Sequence, residues 1–133
     1  MNVTKHPDPT TENCQRIGQV LARVGEKWSA LVIALLAAGP LRFTDIKRAA
    51  HGISQRMLTV CLRGLERDGL VKRTVHAVMP PHVEYELTPL GRSLQQSVSV
   101  LDNWARDHLA EIDAAREAFD AQDSHGGPAP WQQ

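Results

Sequence analysis

The apolar residues in the first half of the chain recur at the three- and four-residue intervals of amphipathic helices. This spacing predicts four helices in succession, each ended by a glycine. In chain order, their apolar positions are Ile17, Val20, Leu21 and Val24; Trp28, Leu31, Val32, Leu35 and Leu36; Phe43, Ile46 and Ala50; and Met57, Leu58, Cys61, Leu62 and Leu65. The glycines are Gly25, Gly39, Gly52 and Gly69. Thr44 and Ser54 are the expected N-caps of the third and fourth helices, which a tight turn joins.

Beyond Leu70 the pattern changes to strict alternation, which predicts a two-stranded β-hairpin. The alternating positions are Val71, Arg73, Val75 and Ala77 in the first strand, and Val83, Tyr85 and Leu87 in the second. Pro80 and Pro81 belong in the turn, because proline cannot donate to a strand ladder. Thr88, followed by Pro89, starts a last helix. The apolar stripe of that helix runs through Leu90, Leu94, Val98, Leu101, Ala105 or Trp104, Leu109, Ile112 and Phe119.

Helices joined by a tight turn and followed by a hairpin are the elements of a winged helix-turn-helix. The predicted fold class is therefore α+β, mostly helical, with a two-stranded wing hairpin and a long C-terminal dimerisation helix. With 133 residues and 42% hydrophobic content, the chain has room for one such domain. We assign residues 1–10 to a flexible leader, 11–121 to the winged-helix DNA-binding and dimerisation domain, and 122–133 to a disordered tail.

Charge is distributed unevenly along a chain whose formal net charge is zero. Residues 40–82 carry eight lysines and arginines against three acidic residues, whereas residues 102–123 carry seven acidic residues against two arginines. A basic middle and an acidic end indicate a molecule that offers one face to an anion. In this fold the fourth helix enters a DNA major groove, and the hairpin contacts the flanking backbone or minor groove. The expected DNA-binding residues are Arg42, Thr44, Lys47, Ser54, Gln55, Arg56, Thr59, Val60, Arg63, Lys72, Arg73 and His82.

Two other interpretations fit the same residues. A helix face that carries arginine is most often merely solvated, and Arg67, between Glu66 and Asp68, fits a local ion pair better than a DNA contact. A winged helix can also present its basic face to a protein partner and bind no DNA. The basic recognition helix, the following hairpin and the charge-reversed last helix together favour double-stranded DNA as the partner.

The sequence contains no motif for catalysis or for a bound group. His51, His76, His82 and His108 lack metal-ligand spacing such as H-E-x-x-H, and there is no glycine-rich phosphate loop or nucleophile elbow. We therefore expect no enzyme activity, no metal and no cofactor. Since no apolar run approaches the roughly 18 residues that span a bilayer, and no secretory signal begins the chain, we expect a cytoplasmic protein.

Three parts of the sequence carry a resemblance to a known family. They are Cys14, then GEKWSALVIALLAAGPLRFTDIKRAAHGISQRMLTVCLRGLERDGLVKRTV, and then PPHVEYELTPLGRSL. With these motifs the chain resembles, from about Cys14 to Trp104, the HxlR family of bacterial transcription regulators, which are relatives of the MarR group. The resemblance implies a homodimeric repressor or activator, and we expect a repressor. It also implies a dimer built from the first and last helices, with the two recognition helices in successive major grooves.

The chain departs from the family pattern at two places. Val60 and Cys61 stand on the recognition helix where polar residues are usual, so base preferences cannot be transferred from the family. In the wing, His76 and His82 replace the tyrosine and arginine that are common there. Both replacements weaken the permanent charge of the wing.

The last helix is too long and too apolar along one stripe for a small winged core alone to cover it. It packs on a partner copy, on the first helix of its own chain, or on both. The expected dimerisation residues are Ile17, Leu21, Leu94, Val98, Leu101, Trp104, Leu109 and Ile112. Trp28 and Trp104 either flank a pocket for a small-molecule effector between the second and last helices or belong to the core.

The resemblance also concerns the two cysteines. Some family members use a cysteine before the first helix to sense oxidants, quinones or aldehydes, and Cys14 occupies that place. A position near a helix N-terminus favours the thiolate, which is the reactive form; the alternative is a bystander thiol in the leader. Cys61, on the inner stripe of the recognition helix, is expected to fill the core. It would act as a second sensor only if it were partly exposed.

Overall fold

The computed structural model describes residues 12–126, and the side chains of residues 12–123. Its elements are α1 (Glu12–Gly25), α2 (Lys27–Leu36), β1 (Leu41–Arg42), α3 (Phe43–Ala49), α4 (Gln55–Arg67), β2 (Val71–His76), β3 (His82–Leu87) and α5 (Pro89–Gly126). The chain divides into two compact units, one that ends at Val98 and one that begins at Ser99. The α3–α4 turn and the β2–β3 hairpin of the first unit confirm the predicted winged helix-turn-helix.

The recognition helix α4 begins and ends at the residues that its sequence signals indicate. Ser54 is the N-cap, and its hydroxyl accepts a hydrogen bond from the Met57 amide at 3.1 Å. At the other end Gly69 adopts a φ of 77°, a left-handed conformation in which a side chain would be strained. The Leu70 amide then donates back to the Leu65 carbonyl at 2.9 Å, which satisfies one of the last carbonyls of the helix.

The core of the first unit lies between α2, α3, the inner face of α4 and the sheet. Its buried members are Val32, Ile33, Leu36, Ile46, Ala50, Ile53, Leu58, Cys61, Leu62, Leu65, Leu70, Val71 and Leu87. Each fully buried leucine or isoleucine contributes about 1.5 to 3 kcal/mol of transfer free energy. By contrast, α1 contains no buried residue, so its apolar stripe is left largely uncovered.

A three-stranded antiparallel sheet with the strand order β1-β3-β2 completes the first unit, whereas the sequence pattern predicted only the β2–β3 hairpin. The additional strand, β1, pairs Leu41 with Tyr85 and Arg42 with Glu84. Two residues are too few to show alternation, and the strand forms only because β3 offers it a partner. The central strand of the sheet is therefore β3.

Two local predictions in the first unit are wrong. Arg42, and not Thr44, is the N-cap residue of α3, and its amide donates to the Asp45 carboxylate at 3.3 Å. The acidic side chain in the first turn provides the stabilisation that was expected from a threonine hydroxyl. Met57 is 49% exposed and is not a core residue, because it lies about 100° around the helix from Leu58, at the margin of the buried stripe.

The last helix is longer than predicted. It continues to Gly126, so residues 122–126, which were assigned to a disordered tail, are helical. Nothing between Ala121 and Gly126 breaks a helix, since the intervening residues are all tolerated in helices. The predicted leader, residues 1–10, lies outside the described residues, as do residues 127–133.

The start of α5 packs closely on the segment that follows α4. The Thr88 hydroxyl accepts a hydrogen bond from the Gly91 amide at 3.0 Å and donates one to the Gly69 carbonyl at 2.6 Å, which confirms Thr88 as the predicted cap. A Cβ atom on Gly91 would lie 2.0 Å from the carbonyl oxygen of Leu70. Only glycine lets the helix approach the backbone of Leu70 so closely.

We therefore expect Gly91→Ala to lower the free energy of unfolding by about 3 kcal/mol, because the backbone of Leu70 must move to admit the methyl group. Urea denaturation followed by circular dichroism, at a fixed protein concentration, measures the change. Gly18→Ala in α1 is the matched control, since nothing lies within 4 Å of a Cβ there, and it should raise the stability by up to about 1 kcal/mol. Equal effects of the two substitutions would contradict the close crossing.

Candidate nucleic-acid interface

The outer face of α4 is the centre of the candidate interface. All five residues predicted on it are exposed to solvent, namely Gln55, Arg56, Thr59, Val60 and Arg63. The opposite stripe of the same helix is buried, so the helix turns this face to solvent. Arg56 and Arg63 are about two helical turns apart, a separation at which both guanidinium groups can reach one groove of a duplex.

Two hydroxyl groups of the predicted interface are already engaged within the helix. Ser54 accepts from the Met57 amide as the N-cap, and the Thr59 hydroxyl donates to the Gln55 carbonyl at 2.9 Å. Thr59 can still accept a hydrogen bond or offer its methyl group to a base, but in this arrangement it has no proton left to donate. Gln55, the two arginines and the Ser54 hydroxyl, which only accepts within the helix, are therefore the side-chain donors available here.

Intramolecular carboxylates do not neutralise the arginines of α4. Across residues 12–123, none of the ion pairs involves Arg56, Arg63 or Arg67. The local pair predicted for Arg67 does not form, because Asp68 binds Arg23 of α1, with Nε 2.8 Å from Oδ2. The hydrogen bond to Asp68 raises the pKa of Arg23. This contact joins α1 to the end of the recognition helix.

The elements beside α4 add further exposed polar side chains to the same interface. Those predicted to bind DNA and found exposed are Arg42, Thr44, Lys47, Lys72 and Arg73, whereas His82 is half-buried. On the wing, residues 71–87, Lys72 and Arg73 are balanced by Glu84 and Glu86. The permanent positive charge of the interface thus resides on β1, α3 and α4, and the wing is formally neutral.

The two cysteines differ in burial. Cys61 is 6% exposed, and its sulfur lies 3.6 Å from the Ser29 hydroxyl. Burial raises the pKa of Cys61, which keeps the thiol protonated and poorly reactive near neutral pH. These features match the expected core residue and argue against Cys61 as a sensor. Cys14 lies in the first turn of α1 and is only partly buried.

A cavity of about 460 Å³ lies beside the recognition helix, between α2 and α4. Its lining residues are Arg23, Glu26, Lys27, Trp28, Arg56, Met57, Val60 and Cys61. The volume is in the range of small-molecule sites, but the location differs from the predicted seam between the second and last helices. Trp104 belongs to the second unit, where its ring stacks on His108 at a centroid distance of 4.6 Å. The effector pocket stays a prediction.

Apolar side chains predicted at the dimer interface are open to solvent in the single chain. Those between 47% and 64% exposed are Ile17 and Leu21 in α1, and Leu101, Trp104 and Leu109 in the second unit. The remaining predicted residues, Leu94, Val98 and Ile112, are half-buried. Large apolar groups left open at helical spacing mark surfaces on which another helix can pack.

Sequence reasoning missed one group of side chains. His76, His82 and Glu84 come together on the wing, with candidate ligand atoms within 4.8 Å of one another. The spacing of six and two residues matches no helical metal motif. The only available signal was the hairpin itself, which places the ends of β2 and β3 side by side.

The fold and the unpaired basic face define a class of protein, the winged helix-turn-helix transcription regulators. A family model described as HxlR-like helix-turn-helix matches residues 23–113. The chain belongs to this family, whose members are transcriptional regulators and not enzymes. In the described part of the chain, no helix has both the length and the apolar character needed to cross a membrane.

Individual relatives agree with this assignment. The HTH-type transcriptional regulator YtfH of Escherichia coli is 40% identical over 99 residues, which cover 74% of this chain and 79% of YtfH. The solved structure of the putative transcriptional regulator ytfH from Salmonella typhimurium is 40% identical, with a TM-score of 0.70 over 76% of this chain and 90% of that chain. The redox regulator HypR in its reduced form is 35% identical, with a TM-score of 0.69 over 74% of this chain and 98% of that chain.

Proposed function

We propose that the protein binds double-stranded DNA sequence-specifically as a homodimer and represses transcription from the bound site. One observation on the outer face of α4 is the main support for the proposal. Arg56 and Arg63 are exposed there and take part in no ion pair within residues 12–123. A solvated surface helix in a neutral chain commonly pairs its arginines with nearby carboxylates. Here neither Glu66, three residues after Arg63 on the same helix, nor Asp68, which binds Arg23, pairs with Arg56 or Arg63 within residues 12–123.

In the proposed complex, α4 lies in a major groove and the wing contacts the adjacent backbone or minor groove. Arg56 and Arg63 bind guanine edges or phosphates, and Gln55 has both a donor and an acceptor for adenine. Val60 is 62% exposed on the same face, and an apolar group in the groove suits the methyl group of thymine. The residues on β1, α3 and β2 contact phosphates and hold the register of the helix.

We expect Arg63→Ala or Arg56→Ala to weaken binding to a selected duplex by about 1 to 3 kcal/mol and to relax base choice. Lys72→Ala should weaken selected and random duplexes alike, because a phosphate contact carries no sequence information. Fluorescence anisotropy with both duplexes, at several salt concentrations, measures these losses after the site has been selected from a random or genomic pool.

Arg67→Ala is the matched control, since it removes the same charge from the same helix at a position outside the proposed interface, and it should change affinity little. Equal losses on selected and random duplex for Arg63→Ala would refute its base-reading role. Absence of duplex binding at low salt, or affinity that does not fall as salt rises, would refute the regulator proposal and favour a protein partner for this face.

The homodimer is supported by the uncovered apolar residues of α1 and of the second unit. Leu101→Glu should dissociate the dimer, because it places a charge on an apolar surface that a partner copy covers, while the isolated chain keeps Leu101 exposed and tolerates the change. Sedimentation measures the oligomeric state. Asn103→Glu introduces the same charge at another exposed position of the helix and should leave the dimer intact. A parent protein that is monomeric at micromolar concentration would refute the proposed dimer.

We also propose that an oxidant or electrophile acts through Cys14. HypR, to which this chain is similar, is a redox regulator, and Cys14 is the less buried of the two cysteines. We expect treatment with diamide or a quinone to release the parent protein from its duplex, and Cys14→Ser to abolish that release. Cys61→Ala should leave the release intact, because the thiol of Cys61 is buried and protonated. If the Cys14→Ser variant were released from its duplex like the parent, Cys14 would not be the sensor.

A further inference from the structure

We propose that the wing carries a binding site for a divalent transition-metal ion of the Zn²⁺ class, formed by His76, His82 and Glu84. The three side chains supply two imidazole nitrogens and one carboxylate oxygen, and these atoms all lie within 4.8 Å of one another. Two histidines and one carboxylate are a common protein ligand set for Zn²⁺, and a fourth position is then open to water. The family assignment does not account for this cluster, and the expected DNA contacts include His82 but neither His76 nor Glu84.

The hairpin register brings the three residues to one place. His76 and His82 are direct cross-strand partners at the last pair before the turn, and their rings stack with centroids 4.7 Å apart. Glu84 follows His82 by two residues on the central strand, so the two side chains leave the same face of the sheet. His76 and Glu84 are then diagonal neighbours, within reach of each other across the strands. Backbone pairing thus holds the ligands together before any ion binds.

The contact between His76 and Glu84 is unusual for a hydrogen bond. The His76 Nε2 atom lies 2.5 Å from the Glu84 Oε1 atom, and yet this nitrogen is shielded from solvent and makes no contact with hydrogen-bond geometry. Two electron-rich atoms so close to each other repel unless a proton or a cation lies near both. A Zn²⁺ ion with bonds of about 2.0 to 2.2 Å holds its ligands roughly 3.3 Å apart in a tetrahedron, so a small rotation of either side chain would admit the ion.

The third ligand is already oriented by the protein. The Nδ1 atom of His82 lies 3.4 Å from the carbonyl oxygen of Pro80, an arrangement in which Nδ1 carries the proton and Nε2 keeps its lone pair. Histidines that bind metals commonly donate their second nitrogen to a backbone carbonyl in this way. His82 therefore offers Nε2 as its ligand atom, and the Pro80 carbonyl serves as the outer hydrogen-bond partner.

The alternative occupant of this cluster is a proton shared between His76 and Glu84. Arg42, the register partner of Glu84 on β1, does not compete, because no Arg42–Glu84 ion pair forms in the part of the chain that the structure describes. The carboxylate is instead directed to His76. The two occupants differ in their need for His82. A Zn²⁺ ion would bind all three side chains, whereas a shared proton would lie between His76 and Glu84 alone.

Occupation of the site would change the charge of the wing, and this consequence rests on the proposed DNA binding. With neutral imidazoles, the cluster carries one negative charge from Glu84, and a bound Zn²⁺ makes it singly positive. The ion would also tie the ends of β2 and β3 together next to the turn. Both effects favour contact between the wing and phosphates, so Zn²⁺ would strengthen DNA binding through a surface that is otherwise formally neutral.

The test is titration of the full chain, freed of metal with a chelator and kept reduced, with Zn²⁺ in competition with a chromophoric chelator. We expect the parent protein to bind one more Zn²⁺ per chain than His76→Asn or Glu84→Gln, or to bind it at least about tenfold more tightly. His82→Asn should lose the ion to the same extent, which a shared proton does not predict. Zn²⁺ should also raise the thermal midpoint of the parent and not of these variants.

His51→Asn is the matched control, because His51 is exposed on the α3–α4 turn and lies outside the cluster, and it should bind Zn²⁺ like the parent. Circular dichroism confirms that each variant is folded. Equal Zn²⁺ binding by the parent and all three cluster variants, or no binding by the parent, would overturn the metal site. Because this titration contains no DNA, its outcome is independent of the DNA-binding proposal.

With DNA present, Zn²⁺ should raise the affinity of the parent for duplex by about threefold or more at moderate salt, and should not change that of Glu84→Gln. If the parent binds Zn²⁺ and its affinity for duplex is unchanged, the proposed consequence for the wing is refuted. If neither the parent nor Glu84→Gln binds duplex at all, the regulator proposal is refuted, and the conclusion from the metal titration is unchanged.

Discussion

The recognition helix has to bury one face completely while it leaves the opposite face bare, and the rest of the first unit depends on this division. Leu58, Leu62 and Leu65 are at most 1% exposed, and they pack with α2 and β2. A helix of 13 residues is marginal by itself in water, so this packing, and not helix propensity, holds α4 in place. The outer face is then free to carry residues chosen for a partner.

The elements around α4 help to keep one of its faces buried and the opposite face exposed. Ser54 and Gly69 set the two ends of α4, and Arg23 of α1 binds Asp68 just beyond its last turn. The Arg23 guanidinium also lies over Gly64, where a Cβ atom would come within 2.5 Å of it. By binding the carboxylate at the end of α4, Arg23 keeps it from pairing with the neighbouring Arg67. One surface ion pair adds little stability, but here it joins α1 to the end of α4 and uses the carboxylate next to Arg67.

The sequence predicted most of the fold because its signals are local. Amphipathic spacing, the caps at Ser54 and Thr88, and the prolines of the hairpin turn each act within a few residues, and all of them are confirmed. Two other features, the missed β1 strand and the exposure of Met57, depend on neighbours distant in sequence. The β1 strand exists because β3 lies beside it, and Met57 is exposed because the edge of the buried stripe is set by tertiary packing.

The same reason separates the parts of the site that could be predicted from those that could not. The outer face of α4 follows from helical periodicity, so its five residues were identified correctly as an exposed set. The cluster of His76, His82 and Glu84 needs a register, and a shift of one residue in the β2–β3 pairing would send the histidines to opposite faces of the sheet. Composition and motif spacing carry no information about that register.

The zero net charge of the chain hides an uneven distribution of charge over the elements of the fold. Attraction to a polyanion depends on the local field and not on the total charge, and the field here arises from β1, α3 and α4. The wing adds two cations and two anions, so its permanent contribution nearly cancels. In the proposed DNA complex, a wing of this kind would bind phosphates strongly only if its charge changed, and the metal ion proposed for His76, His82 and Glu84 would make that change. If both proposals hold, the recognition helix supplies constant affinity for DNA, and the wing supplies affinity that depends on whether the metal ion is bound.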